Sequence, residues 1–300
     1  MNSAWRVVDC TNLHGSLTYD RGRLVVRDRD KDTSTDVPLT DIAVLLIGLR
    51  CNCSAGLLHQ CAVYGVSVMT CDWRGVPISA MHSWAETNTR VNARFRGQIS
   101  QTLPRQKNMW GKIVQSKIMG QAAVLDQLGI DGGGNLRGLA KQVRSGDLTN
   151  IEGRAAREYW HCLFQTDADF HRLPGDGRGR NSQLDYSYMI LRGFTIKAVI
   201  SAGLCPCLGI HHHNGSNYYC LADDLIEVFR PAVDVKVAEL SEEDSLIDRE
   251  TKQFLIESVN RQFNGEGLTI LSKINDFAQQ YALYVEDKIQ QIAIPQYVKD

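Results

Sequence analysis

The sequence predicts an α+β protein, with an N-terminal β-sheet domain over residues 1–85 and a larger all-α domain over residues 86–300. Three observations carry this expectation. Before residue 85 the apolar residues fall in short runs, several of them alternating with polar residues and separated by turn chemistry, as half-buried strands do. After Ser83 the spacing changes to that of amphipathic helices, in segments ended by glycine or proline. A chain of 300 residues with 43% hydrophobic content is also long and apolar enough to bury a core, which argues against a disordered protein.

In chain order, residues 6–8 make a short strand, and 16–19 and 23–26 make a hairpin around Asp20-Arg21-Gly22. Residues 42–46 are apolar throughout, as in a buried strand. A short helix fits 54–64, strand alternation returns over 66–70, and Trp73-Arg74-Gly75 reads as a turn. Helical spacing then covers 88–100, 107–128, 151–164, 184–202, 222–229, 251–263 and 268–286. Gly132-Gly133-Gly134 supplies a break, and Gly203 ends a helix. No Gly-Lys-Ser/Thr follows the glycine run, so it is not a nucleotide-cradling loop. Residues 172–180, rich in arginine and glycine, read as a flexible basic loop.

The composition excludes several classes. There is no secretory start and no apolar run of membrane-spanning length, so a cytoplasmic protein without a membrane partner is expected. The nine cysteines are expected as reduced thiols, because Cys51-Asn52-Cys53 and Cys205-Pro206-Cys207 have one intervening residue where structural zinc sites have two to four. The net charge of −1 excludes bulk coating of nucleic acid, yet the charge is segregated. Residues 87–125 contain no acid and hold Arg90, Arg94, Arg96, Arg105, Lys107, Lys112 and Lys117. A second cluster holds Arg172, Arg178 and Arg180, while acids concentrate after Asp223. Segregation of this kind can neutralise phosphates locally; a solvated helical face is the alternative.

The chemistry-bearing residues centre on Leu208-Gly209-Ile210-His211-His212-His213, which leads through Asn217 into Asp223, Asp224 and Glu227. Imidazoles just ahead of a carboxylate-bearing helix suit a divalent metal. Neighbouring side chains of an extended segment alternate sides, so one or two of the three histidines can serve one site. Asp223 and Asp224 also suit a helix start through the helix dipole. Glu227, deeper and beside Phe229, needs a partner if buried: a metal or Arg230. A further carboxylate is Glu152, which shares a helical face with Ala155, Ala156 and Tyr159, although Thr149-Asn150-Ile151-Glu152 also fits a capping box.

Taken together, Glu152-Gly153-Arg154-Ala155-Ala156-Arg157-Glu158-Tyr159-Trp160, the Leu-Gly-x-x-His and Asp-Leu-x-Glu-x-Phe-Arg-Pro stretches, and Asn181-Ser182-Gln183-Leu184-Asp185-Tyr186-Ser187-Tyr188 resemble the CRISPR-associated spacer integrases, the first of the CRISPR adaptation proteins. The wording is most similar to the branch found in type II systems. The resemblance implies that Glu152, His212 and Glu227 are the catalytic metal ligands, for Mg²⁺ or Mn²⁺, with His211 or His213 as alternatives to His212. It implies an integrase and endonuclease of antiviral CRISPR adaptation. Such an enzyme joins the 3′-hydroxyl ends of short foreign DNA to the CRISPR repeat by transesterification, and also cleaves branched DNA. It further implies double-stranded DNA as partner, a homodimer, a small second adaptation protein bridging two dimers, and a β domain that supplies dimer contacts. Arg90, Arg94, Arg96, Lys107, Lys112, Arg178 and Arg180 are the expected DNA-binding residues. Two rival readings are a non-haem iron oxidoreductase using two histidines and a carboxylate, and a DNA-binding scaffold without chemistry.

Overall fold

The computed structural model describes residues 6–73, 77–81, 83, 90–165, 170–241, 244, 248–264 and 267–298. The chain is an α+β protein of two compact units, Met1–Asn88 and Thr89–Asp300. The first unit contains two four-stranded sheets. One joins Arg6–Cys10 (β1), Ile42–Ile47 (β5), Ser67–Cys71 (β7) and Pro77–Met81 (β8) in the order β1-β5-β7-β8. The other joins Gly15–Asp20 (β2), Arg23–Asp28 (β3), Thr33–Pro38 (β4) and Cys51–Cys53 (β6) in the order β4-β3-β2-β6.

The expected hairpin is β2–β3. Asp20 pairs with Arg23 across Arg21 and Gly22, both at positive φ (43° and 83°), the two-residue turn whose twist matches the strands. Strand β5 pairs in parallel with β1 on one side and β7 on the other, and all six of its residues are buried. A central parallel strand covered on both faces reads as an uninterrupted apolar run, which is why no alternation marks it. Leu17, Leu24, Leu39, Ile42, Leu45, Leu57 and Cys61 form the core, closed by Ala55–Val63 (α1), whose N-cap Ser54 accepts from Leu57 N–H. Strands β4, β6 and β8 were not marked by the sequence pattern: β4 is largely exposed and β6 has three residues. The expected turn at Trp73-Arg74-Gly75 lies partly outside the described residues.

The second unit contains Val91–Ile99 (α2), Leu103–Leu128 (α3), Gly133–Ala140 (α4), Ile151–Leu163 (α5), Gly179–Ser201 (α6), Cys220–Ile226 (α7), Arg230–Glu239 (α8), Arg249–Ser258 (α9) and Ile270–Val285 (α10). Helix α3 packs against α4, α5, α7 and α8. It buries Trp110, Ile113, Val114, Ile118, Ala122 and Leu125, and leaves small residues where neighbours come close. A Cβ on Gly120 would stand 3.1 Å from the Pro231 ring, and one on Gly111 would stand 2.9 Å from Arg144 O. Several helix limits differ from the sequence expectation. The glycine run opens α4 rather than only breaking the chain. Helix α8 starts with Pro231 in its first turn, a position where the missing N–H costs nothing, so a proline that looked like a stop is a start. Residues 262–264 form a short strand (β9) pairing with Leu268–Thr269 (β10), where a continued helix was expected. The expected helix start at Asn88 lies outside the described residues. Among the described residues, no helix is long and apolar enough to cross a membrane.

Helix α2 approaches α10 at Gly97, where a Cβ would stand 2.2 Å from Val285 O. Gly97→Ala is therefore expected to destabilise the chain by about 1–3 kcal/mol through overpacking. The measurement is the denaturant midpoint, which should fall at unchanged transition slope.

Candidate metal centre

Glu152 sits in the first turn of α5, and the structure separates it from the capping role that its spacing suggested. The first N–H groups of this helix are taken by other side chains. Buried Asp147 accepts from Ile151 N–H and Glu152 N–H, both at 2.9 Å, and Asn150 accepts from Gly153 N–H at 3.1 Å. The Glu152 carboxylate is thus free for another partner. It meets Lys117 of α3, with Nζ 2.6 Å from Oε1.

The histidine segment is shaped by Asp224, which is 0% exposed. Its carboxylate accepts from the backbone N–H groups of Ile210 (2.5 Å), His211 (3.0 Å) and His212 (3.2 Å), and from His212 Nδ1 at 2.6 Å. Gly209 is required for this wrapping, because a Cβ there would stand 2.3 Å from His212 O and 2.9 Å from Asp224 Oδ2. The hydrogen bond to Asp224 is the main reason that the His212 imidazole is held above its ordinary pKa. With Nδ1–H donated, the neutral ring presents Nε2 as a lone pair, the arrangement in which histidines ligate metals. His211 stacks on Trp110 of α3 with ring centroids 4.2 Å apart and planes 3° from parallel, and burial pushes its pKa down.

Glu227 lies between α7 and α8 and is buried. Its Oε1 is 3.0 Å from Arg230 Nε, and its Oε2 is 2.5 Å from Lys117 Nζ without an aligned hydrogen bond. Burial alone would raise the Glu227 carboxyl, but Arg230 and Lys117 hold it well below the usual carboxylate range. Burial likewise works against the Lys117 charge, and Glu227 and Glu152 outweigh it. The Arg230 guanidinium lies 4.5 Å from the centroid of the Tyr188 ring. Tyr188 donates to buried Asp234 at 2.6 Å, and Tyr159 donates to the other oxygen at 2.9 Å. Burial pushes Asp234 up to about 6, against the pull of the two tyrosine hydroxyls.

Glu152 and Glu227, 75 residues apart in the chain, therefore meet at one ammonium nitrogen. Among the described residues, no three His, Cys, Asp or Glu side chains converge into a ready-made cage. Lys117 stands between the two carboxylates and His212 is turned onto Asp224. The donor set nevertheless fits a divalent ion: a cation already occupies the place between the carboxylates, Glu227 Oε2 lacks an aligned hydrogen bond, and the His212 tautomer is set by a carboxylate. Asp223 is taken by Arg192 at 2.5 Å and by Asn217 at 2.7 Å.

The basic residues divide. Arg94 is 4% exposed and binds Glu286 at 2.8 Å and Ala202 O at 2.5 Å, on the inner face of α2 where it braces α10 and the end of α6. Arg180 is half-buried and donates to Val237 O and Leu240 O over the Phe164 ring. Arg90 pairs with Glu286 at 2.6 Å, and Arg105 pairs with Asp287. Arg96, Lys112 and Arg178 are exposed and Lys107 is half-buried. The loop before α6 is strapped down rather than loose: Asn181 accepts from Leu173 N–H and Arg172, and Asp185 accepts from Arg172 and Gly175 N–H. Asp147 and Asp234 were not singled out from the sequence, while Asp224 was read as suiting a helix start and Lys117 as one of a basic stretch, neither as a partner of the ligand candidates. Lys117 alone left a signal, as a cation between the buried residues Val114 and Ile118.

The family model for CRISPR associated protein Cas1 matches residues 11–263. The chain is 33% identical over 300 residues to the CRISPR-associated endonuclease Cas1 of Neisseria meningitidis serogroup C (strain 8013), with 97% of this chain and 96% of that one covered. Among solved structures, a casposase bound to integration product is similar with a TM-score of 0.80 at 21% identity, covering 95% of this chain and 92% of that one. A Cas6-RT-Cas1–Cas2 complex is similar with a TM-score of 0.70 at 20% identity, over 100% of this chain and 36% of the longer one.

Two outcomes follow from the geometry. Asp224→Asn is expected to lower the His212 pKa, read by imidazole NMR titration, and to cost about 3 kcal/mol of stability because an amide cannot accept from all four donors. For Asp234, the folded pKa of about 6 lies above the ordinary 3.8. The folded chain therefore keeps this proton where the unfolded chain has lost it, and stability from this group falls as pH rises through that window. The stability of Asp234→Asn relative to the parent protein is expected to rise by up to about 3 kcal/mol between pH 4 and pH 7, measured by denaturation at each pH.

Proposed function

This chain belongs to the CRISPR-associated Cas1 family, and on that premise we propose that it is a divalent-metal-dependent DNA integrase and endonuclease of CRISPR adaptation. The 3′-hydroxyl of a short foreign duplex attacks a phosphodiester at the end of the CRISPR repeat. One phosphorus–oxygen bond forms as another breaks, and the displaced strand leaves with a new 3′-hydroxyl. The same chemistry with water as nucleophile gives nuclease activity on branched DNA.

One observation carries this reading: two carboxylates from separate helices meet at a single cation, beside a histidine whose tautomer is set by a buried carboxylate. Glu152, Glu227 and the Nε2 atom of His212 would hold Mg²⁺ or Mn²⁺. Bound there, the ion would neutralise charge on the phosphate and acidify the attacking hydroxyl. Asp224 keeps the Nδ1 proton in place, and Arg230 keeps Glu227 ionised within the fold. Exposed Arg96, Lys112 and Arg178, with Lys107, are the residues offered to DNA phosphates, which position a duplex without reading its sequence. The partners proposed are double-stranded DNA, a second copy of the chain joined through the β unit, and the small second adaptation protein. The last is supported by the similar chain in a complex named for Cas1 and Cas2. The site of action proposed is the cytoplasm.

The test is joining of a short duplex with free 3′ ends to a supercoiled plasmid carrying the repeat, with Mg²⁺ or Mn²⁺ and the second adaptation protein present. Glu152→Gln, His212→Ala and Glu227→Gln are each expected to lower joining by about a hundredfold or more, since each removes charge stabilisation worth several kcal/mol. Undiminished joining by all three variants, or no joining by the parent protein, would sink the assignment.

A further inference from the structure

Glu152, Glu227, Lys117 and Arg230 form one charge cluster. Lys117 Nζ lies 2.6 Å from Glu152 and 2.5 Å from Glu227, and Arg230 Nε lies 3.0 Å from Glu227. Among these four groups in direct contact two negative charges face two positive ones, so the contacts balance without any metal, with Asp223 and Asp234 acting on Arg230 from further out. Placing two more positive charges between these carboxylates leaves the cluster over-compensated unless a resident cation withdraws or an anion arrives. The two resident cations are not equally able to withdraw. Arg230 is held on the Tyr188 ring and by Glu227 at the start of α8. Lys117 is an ammonium on a flexible stem, its side chain is 14% exposed, and its contacts are with the two carboxylates themselves. The close packing of Gly120 on Pro231, one turn further along α3, fixes the backbone that delivers Lys117 to this place.

We propose that Lys117 is the resident counter-ion of the metal centre: it holds Glu152 and Glu227 together in the metal-free protein and is exchanged for the divalent ion, which makes metal binding cooperative with DNA. This rests on the metal-binding reading above. It accounts for the absence, among the described residues, of a preformed three-ligand cage, because the ammonium occupies the ion's place. DNA enters the scheme as the anion that restores neutrality, its phosphates meeting both the ion and the released ammonium. Lys117 is a positioning residue here, acting on the ligands and not on the reacting atoms.

The experiment compares the full-length parent protein, Lys117→Met and Lys117→Arg. Mn²⁺ binding is measured by calorimetry or electron paramagnetic resonance, and thermal melts are run in chelator and in Mn²⁺. Lys117→Met is expected to melt below the parent in chelator, to regain the difference in Mn²⁺, and to bind Mn²⁺ about tenfold more tightly or better, because the competing charge is gone. Lys117→Arg is expected to bind no more tightly than the parent. A short duplex is expected to strengthen Mn²⁺ binding to the parent more than to Lys117→Met. Equal or weaker Mn²⁺ binding by Lys117→Met, beside a parent that binds, overturns the counter-ion role and leaves the metal centre standing. No Mn²⁺ binding by the parent with or without DNA, or binding unaffected by Glu152→Gln and Glu227→Gln, overturns the metal centre itself. If Lys117→Met does not fold, reductive methylation of the parent decides: Lys117 is expected to be shielded in chelator and labelled several-fold faster in Mn²⁺ and Mg²⁺. An unchanged or slower rate overturns the exchange.

Discussion

A carboxylate taken out of water must be neutralised where it lies, and the second unit is arranged around that requirement at Glu227. Burial penalises its charge, and two cations reached from opposite directions reverse the penalty: Arg230 from the next helical turn and Lys117 from α3. Removing either would leave the buried carboxylate with one counter-ion in place of two, which costs more than a mispaired surface charge. The site is therefore tied to helix packing. Lys117 arrives because α3 and α8 touch at Gly120 and Pro231, and Glu152 arrives because Asp147 and Asn150 cap α5 at the correct point.

Around this centre lies a second layer of buried polar groups that act on one another. Tyr188 supplies a ring face to Arg230 and a hydroxyl to Asp234, and Tyr159 completes the pairing of Asp234. Asp224 does the same work for the histidine loop, gathering three backbone N–H groups and one imidazole. These two acids are buried. They tie the Asn-x-x-Leu-Asp-Tyr-x-Tyr helix and the Leu-Gly-x-x-His loop to the surroundings of Glu152, His212 and Glu227: each motif builds the support of a neighbouring one.

Much of the architecture was legible in the sequence because its signals are local. Alternation and the Arg21-Gly22 turn marked the hairpin, the apolar run marked β5, and the helical period marked α3, α5, α6 and α10. Elements without a local signal went unseen. Strand β4 is exposed and polar, and α8 opens on a proline that reads as a terminator until its place in the first turn is known. For the site, Glu152, His212 and Glu227 were indicated by spacing and resemblance; the structure pairs both glutamates with Lys117 and the histidine with Asp224. The basic stretch is less unpaired than its sequence suggests, because charge counted along a chain ignores distant counter-ions. Arg90 and Arg94 find Glu286, Arg105 finds Asp287, and Lys117 finds Glu152 and Glu227. The long sequence separations of these pairs place them beyond any windowed pattern.

The same pairing has a consequence for synthesis. Helices α2 and α3 are made early, yet Arg90, Arg94 and Arg105 close on residues 284–287, Ser116 donates to Pro295 O at 2.5 Å, and Tyr297 donates to Gln127 at 2.6 Å. Until residues 284–297 are made, the inward arginines of the first half of this unit have no partner there and stay hydrated, and these contacts close only afterwards. Closing such distant contacts is slow, because chain entropy is lost before the contacts repay it. The helical unit is thus expected to fold more slowly than its local helical contacts alone would allow.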